Sequence, residues 1–168
     1  LLLEIDTEPL IKERLQEKII PIKKYLNENN FQYSNFFISD KFIKFNLSDL
    51  DNIKKLEKLF FLKEKNSINP YISNYNSYEL DLKTNVNEIK IMFSKYGTLN
   101  LNNAALKQSI EIVRRRIDET GTKEPSILQR GDKRILVELP GLKDPERIKN
   151  LLGKTAQLNF RLVSNEKN

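Results

Sequence analysis

The 168-residue sequence contains no cysteine and no histidine. The first absence excludes a disulfide framework, a thiolate nucleophile and any cysteine metal site. The second removes the commonest general base and the commonest transition-metal ligand. No run approaches the roughly 18 consecutive apolar residues of a membrane span. Leu1 to Leu3 is too short an apolar run for a signal-peptide core. The chain opens without Met, directly in that run, which reads as a boundary set inside or just before a strand. Glycine-rich phosphate loops are missing too, so a small hydrolase or transferase has little to work with.

What is present has a globular balance, with 39% apolar and 31% charged residues, which leaves enough apolar material for a real core. The formal charge is +6 and the pI ≈ 9.4, which permits nucleic-acid, anionic-lipid or acidic partners. The charge is scattered, however. Lys54, Lys55 and Lys58 alternate with Asp51 and Glu57, as on a solvated helix face.

The spacing of apolar residues predicts the elements. Leu1 to Ile5 reads as a buried strand. Ile11, Leu15, Ile19, Ile22 and Leu26 recur at helical intervals behind Pro9, with a kink expected at residues 17–20 ahead of Pro21. Phe31 to Ile38 and Lys41 to Leu47 form a hairpin around Ser39-Asp40. A helix capped by Ser48 or Asp49 follows, with Leu50, Ile53, Leu56, Leu59 and Phe60 as its stripe. Ile68 to Ser73 and Tyr78 to Leu82 read as strands. A helix is expected from Thr84, with Val86, Ile89, Phe93 and Tyr96 on one side and Gly97 as its stop.

Another helix is expected from about Asn103 to Thr120, carrying Leu106, Ile110, Val113 and Ile117 inward, with Gly121 closing it. Pro125 to Arg130 and Arg134 to Leu139 are paired strands about Gly131-Asp132. Asp144-Pro145 starts a short helix ending before Gly153, and Gln157 to Val163 is a last strand. The fold class that follows is α+β: two ferredoxin-like (split βαβ) subdomains, each an antiparallel sheet with helices on one face. Residues 1–6 supply the first strand of a base, residues 7–100 an accessory subdomain, and residues 101–168 the rest of the base.

Three constellations invite chemistry. Arg114-Arg115-Arg116 resembles a phosphate clamp, but successive helical side chains point about 100° apart and do not converge. Glu111 with Arg115 as an i,i+4 pair is the expected structural role, with the other arginines holding adjacent loops or solvent. Glu138, Asp132 and Asp144 are carboxylates with local jobs on a strand face, in a turn and at a cap, and no convergent acid pair results. Phe31, Tyr33, Phe36, Phe37, Phe42 and Phe45 crowd one hairpin. Base-stacking sheets of RNA-binding modules carry such aromatics, but their glycine-bearing pattern is missing here and core packing is the expected role. Any aromatic left exposed would suit an apolar peptide or an extended strand added at an edge. No catalytic, cofactor-binding or metal-binding residue is assigned, and no cofactor is expected. A basic ferredoxin-like module that binds nucleic acid stands as the alternative to a mechanical or protein-binding role.

The run from Arg114 to Val163 resembles the SecD family. Arg114-Arg115-Arg116-Ile117-Asp118-Glu119-Thr120-Gly121 is similar to its "RNRVNxLG". Glu124-Pro125, Gln129, Gly131 and Arg134 to Gly141 follow its "EPxxxxxGxxRIxVELPG". Asp144, Leu151-Leu152-Gly153, Thr155-Ala156 and Leu158 to Val163 follow its "D…LLGxTAxLEFRxV", and Leu1 to Asp6 fits the strand after the family's first transmembrane helix. The departures are Arg115 and Asp118 for Asn, Thr122 for Val and Asn159 for Glu. The resemblance implies a non-enzymatic piece of an extracytoplasmic (periplasmic) domain of a bacterial inner-membrane protein. Its implied partners are SecF, the SecYEG translocon and the translocating preprotein, with no nucleic acid. The implied activity is help, driven by the proton-motive force, in the late steps of export. In the family a mobile substrate-holding head follows the position of Val163, so this piece is expected to be scaffold and hinge.

Overall fold

The computed structural model describes residues 1–63, 68–119, 124–141 and 145–153. Strand β1 (Leu2–Glu4) leads into helix α1 (Glu8–Glu17), which carries Pro in its first turn. Helix α2 (Ile19–Glu28) follows after a break at Lys18. Pro21 has no N–H to give the carbonyl of Glu17, so the two segments part where a kink is expected. The break turns Lys18 inward, where its ammonium bonds the Ile68 carbonyl at 3.2 Å and pairs with Glu79. Asn30 closes α2 in a left-handed conformation (φ 59°). The N–H of Phe31 then reaches back to Leu26 O at 2.8 Å, and that of Asn30 to Asn27 O at 3.1 Å, satisfying carbonyls the helix end would orphan.

Strands β2 (Tyr33–Ile38) and β3 (Ile43–Leu47) form the expected hairpin, with a bulge between Ser34 and Phe37 where Asn35 has φ 52°. Asp49 caps helix α3 (Leu50–Phe60) by accepting the Asp51 N–H at 3.0 Å. Ile53, Leu56 and Phe60 are buried, whereas Leu50, read as part of the same stripe, is 63% exposed. It sits about 100° around the helix from the buried arc, on the solvent side. The strand expected over Ile68 to Ser73 shrinks to β4 (Tyr71–Ile72). It is joined through a 3-10 turn to β5 (Ser77–Tyr78), because Asn69 is turned into the core.

The helix expected from Thr84 to Gly97 does not form. Strands β6 (Leu80–Asn85) and β7 (Glu88–Phe93) occupy that stretch, joined by the two-residue turn Val86-Asn87. The intervals Val86, Ile89, Phe93 fit a helix, but Ile89 and Ile91 also alternate, and both are buried against Phe45 and Ile43 of β3. Pairing with β3 satisfies a whole row of backbone groups and decides between the two periods. Gly97 is therefore no stop. It lies in the first turn of α4 (Lys95–Asp118), whose cap Ser94 accepts the Gly97 N–H at 2.8 Å. That helix begins at Lys95 and runs through the expected start near Asn103 without interruption.

Strands β8 (Ser126–Arg130) and β9 (Arg134–Glu138) and helix α5 (Pro145–Gly153) complete the described chain. The molecule is α+β with antiparallel sheets. One sheet has the order β2-β3-β7-β6, so β3 and β6 run parallel with β7 between them; a second has the order β1-β9-β8, and β4 and β5 form a third of two strands. The larger core joins Leu15, Ile22 and Leu26 to Ile43, Phe45, Leu56, Phe60, Leu80, Ile89 and Ile91. The smaller joins Leu106, Val113 and Ile117 of α4 to Ile135 and Val137. The Gly121 stop, the Asp144 cap and the strand expected at Gln157 to Val163 lie outside the described residues.

Candidate functional site

The three chemical constellations disperse. Arg114 pairs with Glu111 at 2.7 Å, an i,i+3 contact in place of the Glu111–Arg115 pair expected from spacing. Arg116 turns to the opposite side and donates to the carbonyls of Leu151 (3.3 Å) and Leu152 (2.9 Å) at the C-terminal turn of α5. One arginine of the triplet thus satisfies carbonyls that a helix end leaves open, which is a structural role. Asp132 and Glu138 are exposed at a turn and a strand end, and Asp144 lies outside the described residues. Phe31 and Phe45 are core, with Tyr33 and Phe36 packed on it. Phe37, 53% exposed, and the half-buried Phe42 remain on the far side of the sheet. Among the described residues no acidic or sulfur cluster could hold a metal ion, and no helix is long and apolar enough to cross a membrane.

What the fold does assemble is two open sheet faces and a groove. On the three-stranded sheet, Ile135 and Val137 face α4, so Leu136 faces away. Register places it directly opposite Leu2 on β1 and Leu128 on β8. Leu2 is 57% and Leu128 47% exposed, so an apolar row crosses this face. The next row is Glu4, Arg134 and Arg130. Alternation in Arg134 to Leu139 put Ile135 and Val137 inward. The signal for the outward row was Leu136 between them, an apolar residue where a solvated face would carry a polar one.

On the four-stranded sheet the outward row is Phe37, Lys44, Lys90 and Lys83, one residue from each strand. Lys44 is held by Glu88 at 3.1 Å, and Lys90 lies 3.8 Å from the centroid of the Phe42 ring.

The groove has a volume of about 580 Å³. It is walled by the segment entering α1 (Asp6, Glu8, Pro9, Ile11, Lys12), the β2–β3 turn (Asp40, Lys41), the end of β7 (Met92, Phe93) and Thr98 of α4. Lys12 and Asp40 form an ion pair at 2.8 Å across it. Sequence reasoning missed this site, because its walls come together only through the β3–β7 pairing that the helical reading of 84–97 obscured. The shifted ionisable groups lie elsewhere. The Glu17 carboxylate raises the pKa of the Arg14 guanidinium, and burial raises that of the Tyr25 phenol.

Residues 106–165 match the family described as protein translocase subunit SecDF, P1 domain, N-terminal. The protein translocase subunit SecD of Rickettsia felis is 34% identical over 168 residues, which is 100% of this chain and 30% of that protein. The SecD of Pseudomonas aeruginosa is 27% identical over 165 residues, 97% of this chain and 25% of its own length. That of Acetobacter pasteurianus is 68% identical over 59 residues, 35% of this chain and 11% of its own. The similarity to the Rickettsia protein runs through residues 7–100 as well as the Arg114 to Val163 motifs. The chain spans about 30% of the length of that relative. No solved structure matches it.

Proposed function

Because the chain belongs to the SecD family of protein translocase subunits, we propose that it is a scaffold and hinge for protein export, without catalytic chemistry of its own. In this reading residues 1–6 and 101–168 form a ferredoxin-like base on the periplasmic side of the bacterial inner membrane. Residues 7–100 form an accessory unit beside it. The parent protein works with SecF next to SecYEG, draws on the proton-motive force, and helps preproteins complete their crossing. The base carries movement of the membrane part to a substrate-holding head that follows Val163.

One observation carries the mechanical part. Helix α4 is 24 residues long, about 36 Å, and is rooted at both ends. Its first turn is locked on the larger unit, where Ser94 Oγ donates to Tyr78 O at 2.6 Å and Tyr75 stacks on Tyr96. Its second half supplies Leu106, Val113 and Ile117 to the smaller core. A displacement of one core therefore moves the other through one continuous rod, without a flexible loop to absorb it. The apolar row Leu2, Leu136 and Leu128 gives the base a face on which a further part of the translocase can seat.

The test is an export assay with the full-length parent. Cross-linking base to head is expected to slow export, and unchanged export would rule out the hinge. The second reading, nucleic-acid binding, has the row Phe37, Lys44, Lys90 and Lys83 in its favour. Against it, Glu88 neutralises Lys44 and Asp81 shares the face. Tight, steeply salt-dependent binding in an oligonucleotide titration would decide for that alternative.

A further inference from the structure

The groove between the entry to α1 and the end of β7 differs from the rest of the surface in two respects. Its lining includes four apolar residues, Pro9, Ile11, Met92 and Phe93. Met92 is the one methionine in the sequence, and an unbranched thioether adapts to side chains of different shape better than a branched hydrocarbon. Its rim carries three carboxylates, Asp6, Glu8 and Asp40, against two lysines, on a chain whose net charge is +6. Lys12 is engaged by Asp40 at 2.8 Å. Asp6 Oδ1 accepts the Glu8 backbone N–H at 3.0 Å, and among the described residues neither Asp6 nor Glu8 has an ion-pair partner. The lining thus sets an acidic pair, without an ion-pair partner among the described residues, beside apolar side chains, and Lys41 comes to it from the hairpin tip. At about 580 Å³ the recess falls within the range of roughly 300–1,000 Å³ that ligand sites occupy.

We propose that this groove binds a short, extended stretch of unfolded polypeptide, with apolar side chains against Pro9, Ile11, Met92 and Phe93 and a basic side chain near Asp6 and Glu8. The inference rests on the translocase reading for the source of that stretch, a chain in transit, and on the groove alone for its chemistry. The apolar lining residues supply sequence-tolerant contact area, and the acidic pair sets which way round the segment lies. A Lys or Arg there gains the attraction of two carboxylates that have no ion-pair partner among the described residues, whereas a Glu meets repulsion.

The test titrates the 168-residue chain with a fluorescein-labelled nonapeptide of alternating Leu and Ser carrying one central Arg, and with the same peptide carrying Glu. The Arg peptide is expected to bind about five- to tenfold more tightly at low salt, a ratio set by about 1 kcal/mol. Asp6→Asn with Glu8→Gln should erase that preference while leaving the fold, followed by circular dichroism, unchanged. Met92→Glu should weaken both peptides. Equal affinity for the two peptides, a preference that survives the neutralising pair, or no binding at millimolar peptide each overturns the proposal. The parent protein separates this from the broader reading. Normal export with Met92→Glu, but lost export on deleting residues 1–168, rejects the groove and leaves the translocase role standing. Normal export with the whole segment deleted rejects the role itself.

Discussion

Asn69 has no accessible surface, and its side-chain amide makes three hydrogen bonds to main chain. The amide nitrogen donates to Phe60 O (3.2 Å) and Leu80 O (3.1 Å), and the amide oxygen accepts the Leu80 N–H at 2.7 Å. The amide satisfies Leu80 as a neighbouring strand would, and it ties the end of α3 to the start of β6. Asn69→Ala removes the side-chain partner of the buried Leu80 N–H and carbonyl and is expected to lower stability by about 2–4 kcal/mol in urea unfolding. A loss below about 0.5 kcal/mol would mean that water replaces the amide. Val86 is the reverse case, a β-branched residue at φ 54° in a hairpin turn and 80% exposed. Its side chain contributes little packing, and its backbone sits where L-residues are strained. Val86→Gly is expected to raise the unfolding midpoint by a gain of about 1 kcal/mol.

Among the elements, legibility followed the strength of local signals. Pro21 announced the break between α1 and α2, Ser48-Asp49 the cap of α3 (Asp49 fills it), and the alternation Ile43, Phe45, Leu47 the buried face of β3; each is local covalent geometry or a clean period. The stretch 84–97 misled because Val86, Ile89 and Phe93 keep helical spacing while Ile89, Ile91 and Phe93 alternate, and only the pairing with β3, Phe45 to Ile89 and Ile43 to Ile91, selects the strand. Gly97 misled for a related reason. A glycine read alone marks a stop, but this one permits a close approach. A Cβ there would fall on the Glu79 carbonyl oxygen and lie 2.9 Å from its carbonyl carbon. Backbone cannot yield as a flexible side chain can, so Gly97→Ala is expected to cost about 2 kcal/mol or more in thermal unfolding, despite alanine's better helix propensity. A stabilised Gly97→Ala variant would show that the α4–β5 junction is looser than the packing implies. At the candidate site, the apolar row was half legible from Leu136, while the groove was invisible because its walls come from three separate stretches, residues 6–12, 40–41 and 92–98.

For the whole molecule, the telling contact joins the two ends of the described chain. The Leu1 nitrogen donates to Val137 O at 2.7 Å, and β1 pairs with β9, Leu2 with Leu136 and Glu4 with Arg134, so everything from α1 to β7 is looped out between partners of one sheet. Such an arrangement would allow two independent folding units were it not for α4, which belongs to both cores. Gln108→Pro removes the hydrogen bond to Ala104 O in mid-helix and is expected to cost about 3 kcal/mol. It should also divide calorimetric unfolding into two transitions. Gln108→Ala should leave a single transition, and a single transition in the proline variant would show that the cores communicate by another route.

The amide of Asn69 has one more consequence. Strand β6 ends the four-stranded sheet on one side and β2 ends it on the other, and unpaired strand borders are templates that a passing extended chain can copy. In a domain whose proposed surroundings are crowded with unfolded polypeptide, such a border is a hazard. Asn69 fills the first rung of β6 from within, and the Asn35 bulge spoils the regular spacing of β2. Together they make the sheet's borders poor templates, so that a segment held in the proposed recess would not be woven into the sheet.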